Sequence, residues 1–284
     1  MKPRRIGLTA RGERVKIPPV TDILFLKLGG SLITDKTRPY TFRPEALEAA
    51  AAQIAAARQA RPGLHLVLGH GSGSFGHEAA RKYATRQGVA DAGGWHGFAE
   101  VWFQASRLNR LVMEGLHSAG LPAVALAPVA AVRARDGQVA AWDLGPLQSA
   151  LTHGLLPVVY GDVIFDERRG GTILSTEDLF GYLARSLGPQ RILLAGREAG
   201  VWADFPARTR LLGELTPAGL SAQTSGPGAA IGADVTGGMQ SKVSQMLALV
   251  TEVPGLEVLI FSGEQPDAIR RALLGETPGT RLHR

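Results

Sequence analysis

The chain of 284 residues has no cysteine. This excludes a disulfide framework, a zinc–thiolate centre and a thiol nucleophile, and it fits a reducing cytoplasm. Aromatic residues make up only 6% of the sequence. No apolar run reaches the roughly 18–20 residues that span a bilayer, so no membrane partner is expected. Lysine is scarce too: it supplies six of the 31 basic residues, at positions 2, 16, 27, 36, 82 and 242. Against 25 acids the formal charge is +6, which invites a nucleic-acid reading. Its location argues otherwise. Residues 1–20 carry six cations (Lys2, Arg4, Arg5, Arg11, Arg14, Lys16) and one acid (Glu13), a net +5, which leaves +1 for positions 21–284. No nucleic-acid partner is expected.

Other features are present in quantity. At 45% hydrophobic and 20% charged, the chain can bury a substantial core and disorder is not expected. The basic stretch at 1–20 lacks an apolar segment and is no secretory signal; it reads as a flexible, solvated leader. Short apolar runs at 22–28, 64–68, 122–127, 156–160, 191–195 and 256–261 read as buried strands. Helices are expected at 44–60, where Pro44 suits a first turn, and at 96–119, 176–187, 239–250 and 265–274. Alternation of this kind requires a mainly parallel sheet with helices on both faces, an open αβα sandwich of the α/β class. We expect two lobes on one continuous sheet, residues 21–160 and 161–284, with a soft boundary between them.

Three glycine-rich segments sit at strand ends or a helix start. The first is Lys27-Leu28-Gly29-Gly30-Ser31, followed by Lys36. Bare backbone lets N–H groups approach an anion closely, and a lysine adds a mobile point charge. No GxxxxGK[ST] pattern is present. The second runs from Gly69 to His77 and contains Gly71, Ser72, Gly73, Ser74 and Gly76, with His70 and His77 able to donate to a phosphate. A dinucleotide site is the weaker reading, because no GxGxxG follows the first strand. The third, Asp234–Met239, includes Gly237 and Gly238 and leads into a helix carrying Lys242. A helix N-terminus favours a phosphoryl group, and Lys242 lies one turn inside it. Three lysines beside three anion cradles suit phosphoryl transfer, which needs positive charge and aligned donors more than covalent chemistry.

The segments LKLGGSLITDK, GHGSGSFGH, YGDV (160–163), LSTEDL (174–179) and DVTGGMQSK (234–242) resemble the amino acid kinase superfamily, and within it the isopentenyl phosphate kinases. The resemblance runs from about residue 22 to 262. SFGH at 74–77 is its most specific part, because relatives that phosphorylate carboxylates usually lack that histidine. It implies an ATP- and Mg²⁺-dependent cytoplasmic kinase of isoprenoid biosynthesis, normally a homodimer. The acceptor would bind in the N-terminal lobe and ATP in the C-terminal lobe, with Mg²⁺ carried by ATP rather than by protein side chains. Lys27 and Lys242 would stabilise the transferring phosphoryl group, with Lys36 assisting, and Asp178 would orient the two principal lysines. Gly29, Gly30, Ser31, Gly237 and Gly238 would line the ATP phosphates. His77, with Gly71, Ser72, Gly73, Ser74 and Gly76, would hold the acceptor's phosphate, bordered by Gly161 and Asp162. Phe98 and Trp102 would form a pocket for a short prenyl tail, or else pack in the core. The family's usual Gly-Asp-Asp is here Thr176-Glu177-Asp178, which leaves open whether Glu177 contributes. The nucleotide-side stretch, Gly196 to Trp202, lacks the usual acid before its Gly-Val-aromatic end.

An alkyl phosphate has a second pKa of about 6 and is mostly a dianion at neutral pH, so it needs no general base to attack the γ-phosphorus. Direct in-line transfer is the expected mechanism. Two alternatives stay open: a kinase of another small phosphate or phosphonate such as fosfomycin, and a non-catalytic nucleotide- or oxyanion-binding module of the same fold.

Overall fold

The computed structural model describes residues 22–224 and 238–284; the basic leader lies outside the described residues. Strand β1 (Ile23–Leu28) is followed by the short helix α1 (Gly30–Ile33), α2 (Pro44–Ala60) and β2 (His65–His70). Next come α3 (Gly73–Tyr83), a 3-10 turn (Thr85–Gln87), the long α4 (Ala92–Ser118), β3 (Ala123–Ala125) and α5 (Pro128–Ala131). A hairpin of β4 (Val132–Arg135) and β5 (Gln138–Trp142), then α6 (Gly145–Thr152), leads to β6 (Leu156–Tyr160). A second hairpin, β7 (Asp162–Asp166) and β8 (Gly170–Leu174), precedes α7 (Thr176–Leu187) and β9 (Arg191–Gly196). The rest comprises β10 (Glu214–Leu215), α8 (Pro217–Thr224), α9 (Gly238–Glu252), β11 (Glu257–Ser262), α10 (Ala268–Leu273) and β12 (Gly279–Leu282).

The main sheet has eight strands in the order β10-β12-β11-β9-β1-β2-β6-β3. All its pairings are parallel except β11 with β12. Strands from both halves of the chain meet at β1 and β9, so the sheet is continuous. This is the expected α/β sandwich. Alternation along β1 feeds both faces: Ile23 and Phe25 join one core layer with α7 and α9, while Leu24, Leu26 and Leu28 join the other with α2 and α10. Among the described residues, no helix is long and apolar enough to cross a membrane.

The four-stranded sheet β5-β4-β7-β8 was not expected. Its strands are short, and β4 and β5 are half-exposed; Val132–Arg135 alternates buried and exposed positions. A signal was nevertheless present. Asp136 and Gly137 both have positive φ (52° and 77°), as a two-residue hairpin turn requires, and Asp-Gly is a strong marker of such a turn.

Candidate active site

The carboxyl ends of β1, β2, β9 and β11 form one edge, where Leu28 pairs with His70 and Ala195, and Gly196 pairs with Ser262. Ligands of open α/β sheets bind at such an edge. A cavity of about 1000 Å³ opens there, and Lys27, Lys36 and Lys242 all line it. Gly29, Gly30, Ser31, Gly71, Ser72, Gly73, Gly76 and Gly161 line it too, so most of the expected site residues converge on one space.

The glycines meet one another before they meet any ligand. The segment between β2 and α3 is only two residues long, because Gly73 starts the helix. The turn after β1 and the start of α3 touch, backbone to backbone. A Cβ on Gly71 would lie 2.8 Å from Gly30 N, and one on Gly30 would collide with the backbone of Gly73, itself at φ +51°. Thr34 fastens this crossing: its hydroxyl donates to Gly30 O (2.7 Å) and accepts from Ser74 N (3.0 Å). Ser74 Oγ accepts from Thr41 N at 3.2 Å. Ser74 is therefore buried and committed to the fold, and it is not among the residues lining the cavity, contrary to its expected contact with the acceptor phosphate. The side chain of His77, in the first turns of α3, lies outside the described residues, and so does Gly237. Gly238 begins α9, whose Met239, Gln240 and Ser241 face the cavity beside Lys242.

Strand alternation and helix periodicity together place the central ion pair. Lys27 lies two residues beyond Phe25 and so shares its face of β1. Phe25 packs on Phe180 of α7 with ring centroids 5.0 Å apart. Glu177 lies one helical turn before Phe180, and its carboxylate forms a salt bridge with Lys27 Nζ. Lys27 and Glu177 are each only 8% exposed. Burial alone would raise the Glu177 carboxyl. The Lys27 ammonium, and after it Lys242, overcome that and hold it well below its ordinary range. Glu177 is thus the acid paired with Lys27, and Lys242 is near enough to act on it electrostatically.

As far as Lys27 is concerned, the expectation for Asp178 is corrected by the same helix start. Ser175 and Asp178 form a capping box: Asp178 N donates to Ser175 Oγ (3.1 Å), while Ser175 N and Oγ donate to Asp178 Oδ2 (2.8 and 2.7 Å). That box commits Asp178 to position N3 and turns it from Lys27, leaving Glu177 at N2 to face the strand. The Ser-x-x-acid spacing was readable in the sequence.

Two further expectations change. Asp162 is 1% exposed and accepts from Val163 N (2.9 Å) and Val129 N (3.3 Å). It lies beneath the cavity, whereas its neighbour Gly161 lines it. Phe98 packs with Ala79, Val89, Val101 and Val163 in a small separate core, and Trp102 is 43% exposed; neither lines the cavity. The apolar wall beside the glycine turn is made instead by Ala80, Val101, Ala105 and Ile173. Small aliphatic residues spread over two helices and a strand leave no compact motif to read. His70 lies under the floor, bonded to Asn109 Oδ1 at 3.2 Å and stacked on Tyr160 at 5.3 Å. Burial pushes its pKa down to about 4.

The amino acid kinase family model matches residues 22–262. The chain belongs to the amino acid kinase family. Within that family it is 33% identical to the isopentenyl phosphate kinase of Methanothermobacter thermautotrophicus over 269 residues, covering 92% of this chain and 98% of that one. It is 34% identical to the isopentenyl phosphate kinase of Haloferax volcanii over 262 residues, covering 91% and 97%. A solved isopentenyl phosphate kinase structure superposes with a TM-score of 0.77 at 31% identity, covering 92% of this chain and 99% of that one. A UMP kinase from Ureaplasma parvum shares the fold at 12% identity with a TM-score of 0.60. In this family member, the lysines and glycine turns that carry the resemblance are the residues that line the cavity.

Proposed function

We propose that the protein is an ATP-dependent kinase that phosphorylates isopentenyl phosphate to isopentenyl diphosphate in the cytoplasm, working as a homodimer in isoprenoid biosynthesis. The convergence of Lys27, Lys36 and Lys242 on one cavity with backbone-lined glycine turns carries this reading. The starts of α3, α7 and α9 also face that space, and their helix dipoles favour anions there. The apolar wall of Ala80, Val101, Ala105 and Ile173 lies on the acceptor side, next to the glycine turn that would hold the acceptor's phosphate. That combination suits a small phosphate monoester with a short hydrocarbon tail.

The chain's own residues supply position and charge. Glu177 keeps Lys27 directed at the cavity, and Lys242 approaches the same point from the start of α9. A dianionic acceptor phosphate attacks the γ-phosphorus in line; the new P–O bond forms as the bond to ADP's leaving oxygen breaks, and no proton need move. Among the described residues, no group of three or more His, Asp or Glu side chains is placed to hold a metal, and Glu177 is committed to Lys27. We take the magnesium ion to be borne by the nucleotide. When bound, such an ion supplies further charge neutralisation on the phosphates.

The test is ADP release with isopentenyl phosphate, dimethylallyl phosphate, fosfomycin, N-acetylglutamate or no acceptor. Turnover with isopentenyl phosphate well above every other acceptor is expected. Preference for fosfomycin or for the carboxylate, or no acceptor-dependent turnover at all, would overturn the assignment.

A further inference from the structure

Asp178, turned from Lys27 by its capping box, makes two further contacts. Its Oδ2 also accepts from Arg86 Nη2 at 3.1 Å, and its Oδ1 accepts from Gln245 Nε2 at 2.9 Å. Arg86 stands on the 3-10 turn after α3, the helix that starts at the glycine turn. The backbone there is pinned, because the buried Thr172 donates its hydroxyl to Arg86 O at 3.1 Å. Gln245 stands on α9, one turn beyond Lys242 and on the same side of the helix. Arg86, Gln245 and Lys242 all line the cavity. One carboxylate, itself fixed by its capping box, thus ties together two residues of the cavity lining, one on the turn after α3 and one on the helix that carries Lys242.

We infer that Arg86, Asp178 and Gln245 form a positioning clasp that sets Lys242 relative to the acceptor side. Glu177 and Asp178 are adjacent but hold different partners: Glu177 fixes Lys27 and attracts Lys242, and Asp178 fixes the helix from which Lys242 projects. Loss of one arm leaves Lys242 charged and present but free to shift with α9. A small displacement of a transition-state charge lowers turnover more than it weakens ground-state binding.

The inference rests on the proposed kinase activity, and its test is separable from it. Substituting Asp178 would also break the cap of α7, so the arms are changed instead. Alanine is a strong helix former and keeps α9 intact. Gln245→Ala should lower kcat about tenfold, with KM for ATP and isopentenyl phosphate each within about twofold of the parent. Arg86→Ala should lower kcat similarly, and Arg86→Lys should recover most of the loss. Because both arms grip one carboxylate, the double variant should fall little further than the worse single variant. Independently of turnover, acylation of Lys242 by an N-hydroxysuccinimide ester, followed by peptide mass spectrometry, should change at least about threefold in both single alanine variants, as expected for a lysine whose setting has altered. An unchanged acylation rate, a kcat for Gln245→Ala within about twofold of the parent, or losses that simply multiply in the double variant would each overturn the clasp. If the parent itself turns over no isopentenyl phosphate, the functional assignment fails, and the acylation rates alone decide for or against the clasp.

Discussion

Two buried polar layers lie one beneath the other at the sheet edge, and they treat charge in opposite ways. In the cavity floor Lys27 and Glu177 are both nearly excluded from solvent, yet they form a salt bridge, and Lys27 holds the Glu177 carboxyl well below its ordinary range. Below it, His70 and Asp162 are equally excluded and, among the described residues, have no countercharge within bonding distance. His70 has an amide and a carbonyl, and Asp162 has two backbone N–H groups. Burial drives the His70 pKa down and the Asp162 pKa up, so each favours its neutral form. Burial disfavours charge in both layers, and a charged partner decides whether that effect prevails. The cavity needs permanent charge and provides a partner for it, while the layer beneath needs shape alone.

The largest effect should come from breaking the paired layer. Lys27→Met should lower kcat at least about a thousandfold, since a preorganised cation at the transferring phosphate is lost. It should also destabilise the fold by about 3 kcal/mol, because Glu177 keeps its burial without its main partner. Adding Glu177→Leu should restore the melting temperature but not the turnover. Recovery of both would mean that the pair serves packing only.

Next comes Glu177→Gln, which keeps shape and hydrogen bonding but removes the charge that holds Lys27 and attracts Lys242. We expect kcat to fall about a hundredfold, because lysine geometry is disturbed while both cations remain. ATP binding by titration calorimetry should be retained. A kcat within threefold of the parent would assign the orienting role elsewhere. The parent should also lose the stability contributed by Glu177 as pH falls below its ordinary 4.5, where the unfolded carboxyl takes up a proton that the folded one resists.

Much of the fold, and half of this comparison, was legible in the sequence. Buried strands read as continuous apolar runs because both faces of a central parallel strand are covered, and Pro44 marked the start of α2 where the structure has it. The lysines and glycines were legible because few residue types let a backbone approach an anion closely. The β4–β5 hairpin was missed for the opposite reason: half-exposed strands alternate, and over four or five residues that alternation is weak; β7 and β8 are mostly buried but only five residues long, too short for a distinct apolar run. The choice between Glu177 and Asp178 depends on a rotation of about 100° around one helix start. Only the capping box carries that information. The neutral layer was not legible, since nothing in the sequence distinguishes a histidine under a phosphate loop from one within it.

The smallest and sharpest effect concerns that neutral layer. His70 has a folded pKa near 4 against an ordinary 6.5. Between those values the unfolded chain binds the extra proton, so stability rises with pH. Asp162 has a folded pKa near 7 against an ordinary 3.8. Over nearly the same window the folded chain holds the extra proton, so stability falls with pH. Each slope is about 1.4 kcal/mol per pH unit, and with opposite signs they largely cancel. Replacing one partner should expose the other. Asp162→Asn should become less stable on acidification from pH 6.5 to 4.5, whereas His70→Gln should become more stable over the same interval. The parent should lie between them at every step. Chemical denaturation across that range measures all three, and parallel curves would show that the two groups do not change ionisation on folding. Such cancellation should leave the parent with a shallower stability slope over this interval than either variant, although the two side chains make no bond to each other.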